Sequence, residues 1–115
     1  MLQPDTIVLE KFDIDMDYEY LGTELKYQLN ITATGFSMTD DNFTVDIVRG
    51  PNRIHFDKAD LVSDGEGHYF VCFDSTPLGA GVASIIGTAY VPDEDFSDGL
   101  RTEVRKAELV TLLAV

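Results

Sequence analysis

Alternation of apolar and polar residues with a period of two is the feature that most restricts this chain. Phe12, Ile14 and Met16 alternate with Asp13, Asp15 and Asp17. Leu25, Tyr27, Leu29, Ile31 and Ala33 alternate with Lys26, Gln28, Asn30 and Thr32, and Phe43, Val45 and Ile47 stand opposite Thr44, Asp46 and Val48. Successive side chains of a strand point to opposite faces, so each run predicts a strand with one face in a core. Turn signals separate the runs: Leu21-Gly22, Thr34-Gly35, Asp40-Asp41-Asn42 and Gly50-Pro51-Asn52, the last leading into a strand over Arg53–Phe56.

The second half keeps this character. Lys58–Val62 is a short bridge, and Asp64-Gly65-Glu66-Gly67 turns into a strand over His68–Phe73, with Tyr69, Val71 and Phe73 on one face. A Gly/Pro loop, Ser75–Gly81, precedes Val82–Val91, which is apolar on both faces as a central strand should be. Pro92 stops it, and Asp93–Gly99 is a polar loop. The segment Leu100–Val115 has helical propensity around Glu103–Val110, but its Val, Leu and Thr content favours a last strand over a C-terminal helix. Seven or eight short strands without a strong helix predict an all-β fold, an immunoglobulin-like antiparallel β-sandwich, as a single domain over 1–115. The Cys and Trp signature of antibody domains is absent, so the term describes architecture.

Charge narrows the function. Twenty-one acidic residues against eight basic ones give a formal net charge of -13. No Lys/Arg cluster exists to release counterions from a polyanion, so neither nucleic acid nor an anionic membrane surface is an expected partner. The longest uncharged stretch, Ser75–Pro92, is broken by Pro77, Gly79, Gly81 and Gly87 and cannot span a bilayer as a helix. Met1–Leu9 lacks a basic leader, and Asp5 and Glu10 interrupt any apolar signal segment. One cysteine, Cys72, leaves no internal disulfide, which suits synthesis in a reducing cytosol.

Each chemical candidate has a plainer reading. The loop Asp93-Glu94-Asp95-Phe96-Ser97-Asp98-Gly99 offers oxygens for Ca²⁺, but an EF-hand starting at Asp93 needs Gly at 98 and Glu at 104, where Asp98 and Val104 stand. A solvated turn bent at Asp98-Gly99 is expected instead. Asp13, Asp15, Asp17 and Glu19 are spaced about 7 Å apart along one strand face, too far to share an ion. With the loops at Asp40 and Asp93 they form an expected solvated coat. His55 and His68 fall on separate strands without zinc-type spacing, and are expected as surface or strand-edge residues. Cys72, with no flanking cation in sequence, is expected as a packed thiol. Ser63, Ser75, Ser84 and Ser97 lack nucleophile-elbow context. Gly79-Ala80-Gly81 is followed by no Gly-Lys-Ser/Thr and is expected to carry the chain between sheets. The sequons at Asn30 and Asn42 lack a secretory signal. Tyr18, Tyr20, Tyr27, Tyr69 and Tyr90 offer stacking rings for a sugar, yet Trp is missing, so core or interface roles are expected. No catalytic, cofactor-binding or metal residue is assigned, and a binding or structural module, not an enzyme, is expected.

From Gly65 to Val104 the string Gly-x-Gly-His-Tyr-Phe-Val-Cys-Phe-Asp-Ser-Thr-Pro-Leu-Gly-Ala-Gly, followed by Ala-Tyr-Val-Pro-Asp-Glu-Asp-Phe-Ser-Asp-Gly-Leu-Arg-Thr-Glu-Val, resembles immunoglobulin-like virion proteins of tailed bacteriophages. It is similar to the N-terminal domain of phage baseplate upper proteins. The resemblance implies a non-enzymatic virion protein, assembled in a bacterial cytoplasm, whose partners are other capsid or tail proteins or a second copy of itself. With no fibre region before Val115, the expected roles are capsid decoration, head-fibre anchoring or tail adaptation rather than receptor binding. The expected contacts lie in the apolar segments Leu2–Leu9 and Leu109–Val115, with docking onto their own sheets as the other outcome. A carbohydrate- or Ca²⁺-binding sandwich is the alternative.

Overall fold

A computed structural model describes residues 6–11, 18–39, 41–63 and 68–115, with Thr6, Glu10 and Lys11 described for backbone only. Among these residues the strands are β1 (Thr6–Lys11), β2 (Tyr18–Tyr20), β3 (Glu24–Thr34), β4 (Phe43–Arg49), β5 (Asn52–Asp57), β6 (Val62–Ser63), β7 (His68–Asp74), β8 (Gly81–Pro92) and β9 (Leu100–Leu113). Two single 3₁₀ turns, Lys58–Asp60 and Thr76–Leu78, complete the elements. Nine strands exceed the expected seven or eight: β1, β2 and β6 lie outside the expected runs, and the last two are too short to show alternation. The alternation at Phe12–Met16, Asp40 and the turn at Asp64–Gly67 lie outside the described residues. No helix among the described residues is long and apolar enough to cross a membrane.

The strands form two sheets, one in the order β1-β3-β7-β6 and one in the order β2-β9-β8-β4-β5. All pairings are antiparallel except β2 with β9, where Tyr18, Glu19 and Tyr20 run alongside Thr111, Leu112 and Leu113. Chain order therefore gives the ABED and GFC arrangement of an immunoglobulin-like sandwich, with an added strand at each side of the second sheet.

Period two explains the core. Leu29, Val45, Ile47, Val71, Ile85 and Val91 are all fully buried, at 0% exposure, and they come from inward positions of both sheets. Each such side chain contributes about 1.5–3 kcal/mol by leaving water. At Gly87 a β-carbon would come within 2.7 Å of Leu9 Cδ1, so the missing side chain lets β1 lie across β8. β9 is a strand and not a helix, with one irregularity: Ala83 pairs with Val110 but Ser84 pairs with Glu108. The extra residue turns both Leu109 and Val110 into the core, each 1% exposed.

Two loops cross between the sheets under visible constraints. From β7 to β8, Gly79 and Gly81 adopt positive φ while the Arg49 side chain lies 2.8 Å from where a β-carbon would sit on either. Arg49 Nε and Asn52 Nδ2 both donate to the Leu78 carbonyl, at 2.6 and 2.9 Å. Ser75 is fully buried; its hydroxyl donates to the Thr23 carbonyl at 3.1 Å and accepts from the Gly22 N–H at 2.9 Å. The Gly79-Ala80-Gly81 loop thus carries the chain between sheets as its composition predicts.

Candidate functional site

Most chemical candidates are consumed by local structure. In the β8–β9 loop the Asp93 carboxylate accepts from the Asp95 N–H at 3.0 Å and is paired with Arg101, while Asp98 accepts from the Leu100 N–H at 3.0 Å. Gly99, at φ 77°, sets the bend. The carboxylates of this loop therefore close a turn, and no group of three metal-ligating side chains occurs among the described residues. Asp13, Asp15 and Asp17 lie outside the described residues. Asn42 braces the β3–β4 loop, its Nδ2 donating to the Ser37 carbonyl at 2.9 Å and its Oδ1 accepting from the Thr39 N–H at 2.7 Å. Asn30 is half-buried within β3.

Cys72 departs from expectation: it is exposed. Inward Val71 and Phe73 force it outward, where its cross-strand partner is Lys26, a cation that sequence spacing does not reveal. Both line an open depression of ≈ 450 Å³ with Glu24, Leu25, Phe73 and Asp74. Asp74 is not a free base there. The Thr76 hydroxyl and N–H donate to it at 2.6 and 2.8 Å and hold its pKa below the usual carboxylate value.

The two histidines belong to different sheets. His68 is half-buried on β7, and His55 is exposed on the edge strand β5. His55 is not solitary, however: its Nδ1 lies 2.8 Å from Asp46 Oδ1 and its Nε2 3.0 Å from Asp57 Oδ1. With both ring nitrogens protonated, the imidazolium donates to two carboxylates. The hydrogen bond to Asp46, then that to Asp57, raises the His55 pKa above its ordinary value. Arg53 adds a cation 3.7 Å from Asp46, which is only 6% exposed. Sequence reasoning missed this cluster because Asp46 and His55 meet only through the β4–β5 register.

A second charged network closes the seam between the sheets. Glu103 accepts from the Ile7 N–H at 3.1 Å, from Arg105 at 2.9 Å and from Arg101 at 2.8 Å. Glu103, foremost, and Asp93 raise the pKa of Arg101. These charges tie β1, the outermost strand of its sheet, to β9. Docking onto their own sheets is accordingly what the described parts of the apolar terminal segments do: Ile7, Leu9, Leu109, Val110 and Leu112 are buried.

The surface that remains is the outer face of the five-stranded sheet. Register places Asp57, His55 and Arg53 of β5 beside Thr44, Asp46 and Val48 of β4, then Thr88, Ile86 and Ser84 of β8, then Val104, Lys106 and Glu108 of β9. Tyr90, Val82, Leu100, Leu113, Tyr18 and Tyr20 extend it. Among the described residues eleven large apolar side chains are exposed, and seven of them (Tyr18, Tyr20, Val82, Tyr90, Leu100, Val104 and Leu113) lie on this one face. The opposite sheet exposes only Val8 and Val62 of that set. Tyr27 and Tyr69, by contrast, pack against the core, Tyr27 stacked on Phe73 at 6.3 Å.

No protein-family profile matches the chain, and no curated protein matches it. A solved structure that does is the endo-β-1,4-mannanase from Thermotoga petrophila, with a TM-score of 0.56 and 13% sequence identity. The similarity covers 100% of this chain but 21% of the mannanase chain, so this chain spans about one fifth of that protein's length. At this identity the likeness is one of fold.

Proposed function

We propose that this chain is a non-enzymatic structural protein of a tailed-bacteriophage particle, working by protein–protein contact. The observation that carries the reading is that seven exposed apolar side chains share one sheet face, in two groups, with Tyr18, Tyr20, Val82 and Leu113 toward one end and Tyr90, Leu100 and Val104 toward the other, since soluble surfaces expose such residues singly unless a partner covers them. The resemblance of Gly65–Val104 to phage immunoglobulin-like modules supplies the setting, as capsid decoration, head-fibre anchor or tail adaptor. The partners are other virion proteins or a second copy.

Particles purified from the source bacterium's phage lysate should contain the chain in a fixed ratio to a capsid or tail protein, measured by quantitative mass spectrometry. Its absence from every particle fraction would overturn the reading.

A carbohydrate-binding sandwich is the second reading, favoured by Tyr18, Tyr20 and Tyr90 standing exposed on the same face. The fold-level likeness to part of a mannanase names the probe. Calorimetric titration with β-1,4-mannan oligosaccharides, with and without Ca²⁺, should be silent if the virion reading holds; heat of binding that Tyr18→Ala abolishes would reverse the order of the two.

A further inference from the structure

We infer that the outer face of the five-stranded sheet is a two-fold interface between two copies of this chain. The inference rests on the reading of that face as a contact surface and adds its occupant.

Area is the first argument. The five strands β2, β9, β8, β4 and β5 have 3, 14, 12, 7 and 6 residues; at about 3.3 Å per residue and about 4.8 Å between strands they make a face of roughly 670 Å², within the range of roughly 600–1,000 Å² that one partner contributes to a standard stable interface. The four-stranded sheet offers less, because its outer strand β6 has only two residues.

Charge is the second. The chain carries -13 overall, so two copies repel one another over most orientations. On this face the described side chains nearly cancel: Asp46, Asp57 and Glu108 stand with Arg53 and Lys106, and His55 adds a cation when protonated. A foreign partner selected by an acidic chain would be basic and would seek dense negative charge, which lies off this face in the Asp93–Asp98 loop. A second copy needs a wide surface close to neutral, and this face is both, with Val48, Ile86 and Val104 as apolar positions among its middle rows.

Register then fixes the axis. One row across the sheet reads His55, Asp46, Ile86, Lys106, centred on β8. A two-fold axis running along β8 lays β9 of one copy over β4 of the other. Ile86 then meets its own counterpart, and Lys106 lies over the Asp46, His55 and Asp57 group. An axis across the strands through this same row would instead set Lys106 against Lys106 and Asp46 against Asp46, which is repulsive.

Sedimentation of the purified full chain from low micromolar to about 100 μM tests this. Val104 and Val62 are both 53% exposed on strands of opposite sheets, so Val104→Glu and Val62→Glu make the same chemical change on the two outer faces. The native chain and Val62→Glu should sediment at twice the chain mass, and Val104→Glu at the single mass with an unchanged circular dichroism spectrum. Lys106→Glu, a surface change, should weaken the dimer at least tenfold and decides the matter if Val104→Glu fails to fold. A monomeric native chain, or a dimer indifferent to both Val104→Glu and Lys106→Glu, overturns the inference. If that monomer is nonetheless present in purified particles, the virion reading stands without it; if it is absent there, both fall.

Discussion

His55 shows how a single side chain becomes informative only through its neighbours. Its two carboxylate partners raise its pKa in the folded chain above the unfolded value of about 6.5. A group raised on folding binds protons more tightly in the native state, so its stabilising contribution is fully present below the unfolded pKa and is lost as pH rises through the higher, folded one. His55 is 53% exposed at its side chain and solvent screens the pairs, so the effect is small. Thermal melting of the native chain, relative to His55→Gln, should show an advantage at pH 5.5 that shrinks by pH 8, whereas a difference constant with pH would contradict the assignment. Gly79 is constrained by its backbone. Its φ of 78° strains any side chain placed there, and a β-carbon would come within 2.8 Å of the Arg49 guanidinium, which would have to shift away from its place beside the loop. Gly79→Ala should cost about 1–3 kcal/mol, read as a lowered urea midpoint.

Strands with strict alternation were legible: β3, β4, β5, β7 and β8 lie where the period-two runs of Leu25–Ala33, Phe43–Val48, Arg53–Phe56 and His68–Phe73 and the apolar run Val82–Val91 put them. β9 was ambiguous for a physical reason. Its bulge sends the consecutive Leu109 and Val110 inward, and with Ala107 this breaks period two into a spacing that a helix also shows. β2 and β6, at three and two residues, are defined by partners and carry no periodic signal. β1 is fastened partly by the Glu103 carboxylate, which accepts from the Ile7 N–H while paired with two arginines. Glu103→Ala removes that acceptor from beside a backbone donor, at a cost of about 1–3 kcal/mol. Amide exchange of Ile7 and its neighbours in β1 should quicken ahead of exchange in β8; uniform quickening of both strands would show that the network serves the whole fold instead.

Taken whole, the molecule carries more negative charge than its ion pairs use, and self-repulsion opposes compaction. Raising NaCl from 20 to 500 mM should therefore raise the melting temperature, since screening relieves the repulsion; a fall would mean that the Glu103 and Asp46 networks dominate. The core is the counterweight. Leu29→Ala, at a site with 0% exposure, should cost about 2–5 kcal/mol by denaturant titration, a large part of the stability of a domain this size. The candidate face is a property of this scale and was only partly legible. Its residues come from five strands: Tyr90 comes beside Val104 and Leu100 only through the β8–β9 register, and Tyr18 beside Val82 only once β2, β9 and β8 are laid side by side. The β2–β9 pairing has a mechanical meaning as well. These strands run parallel, so tension entering β2 at Tyr18 and leaving β9 at Leu113 pulls on opposite ends of the ladder. Its hydrogen bonds are then loaded together, in shear, rather than peeled one after another. A pull along the chain would load β1 and its pairing with β3 first, and this short clasp in shear next.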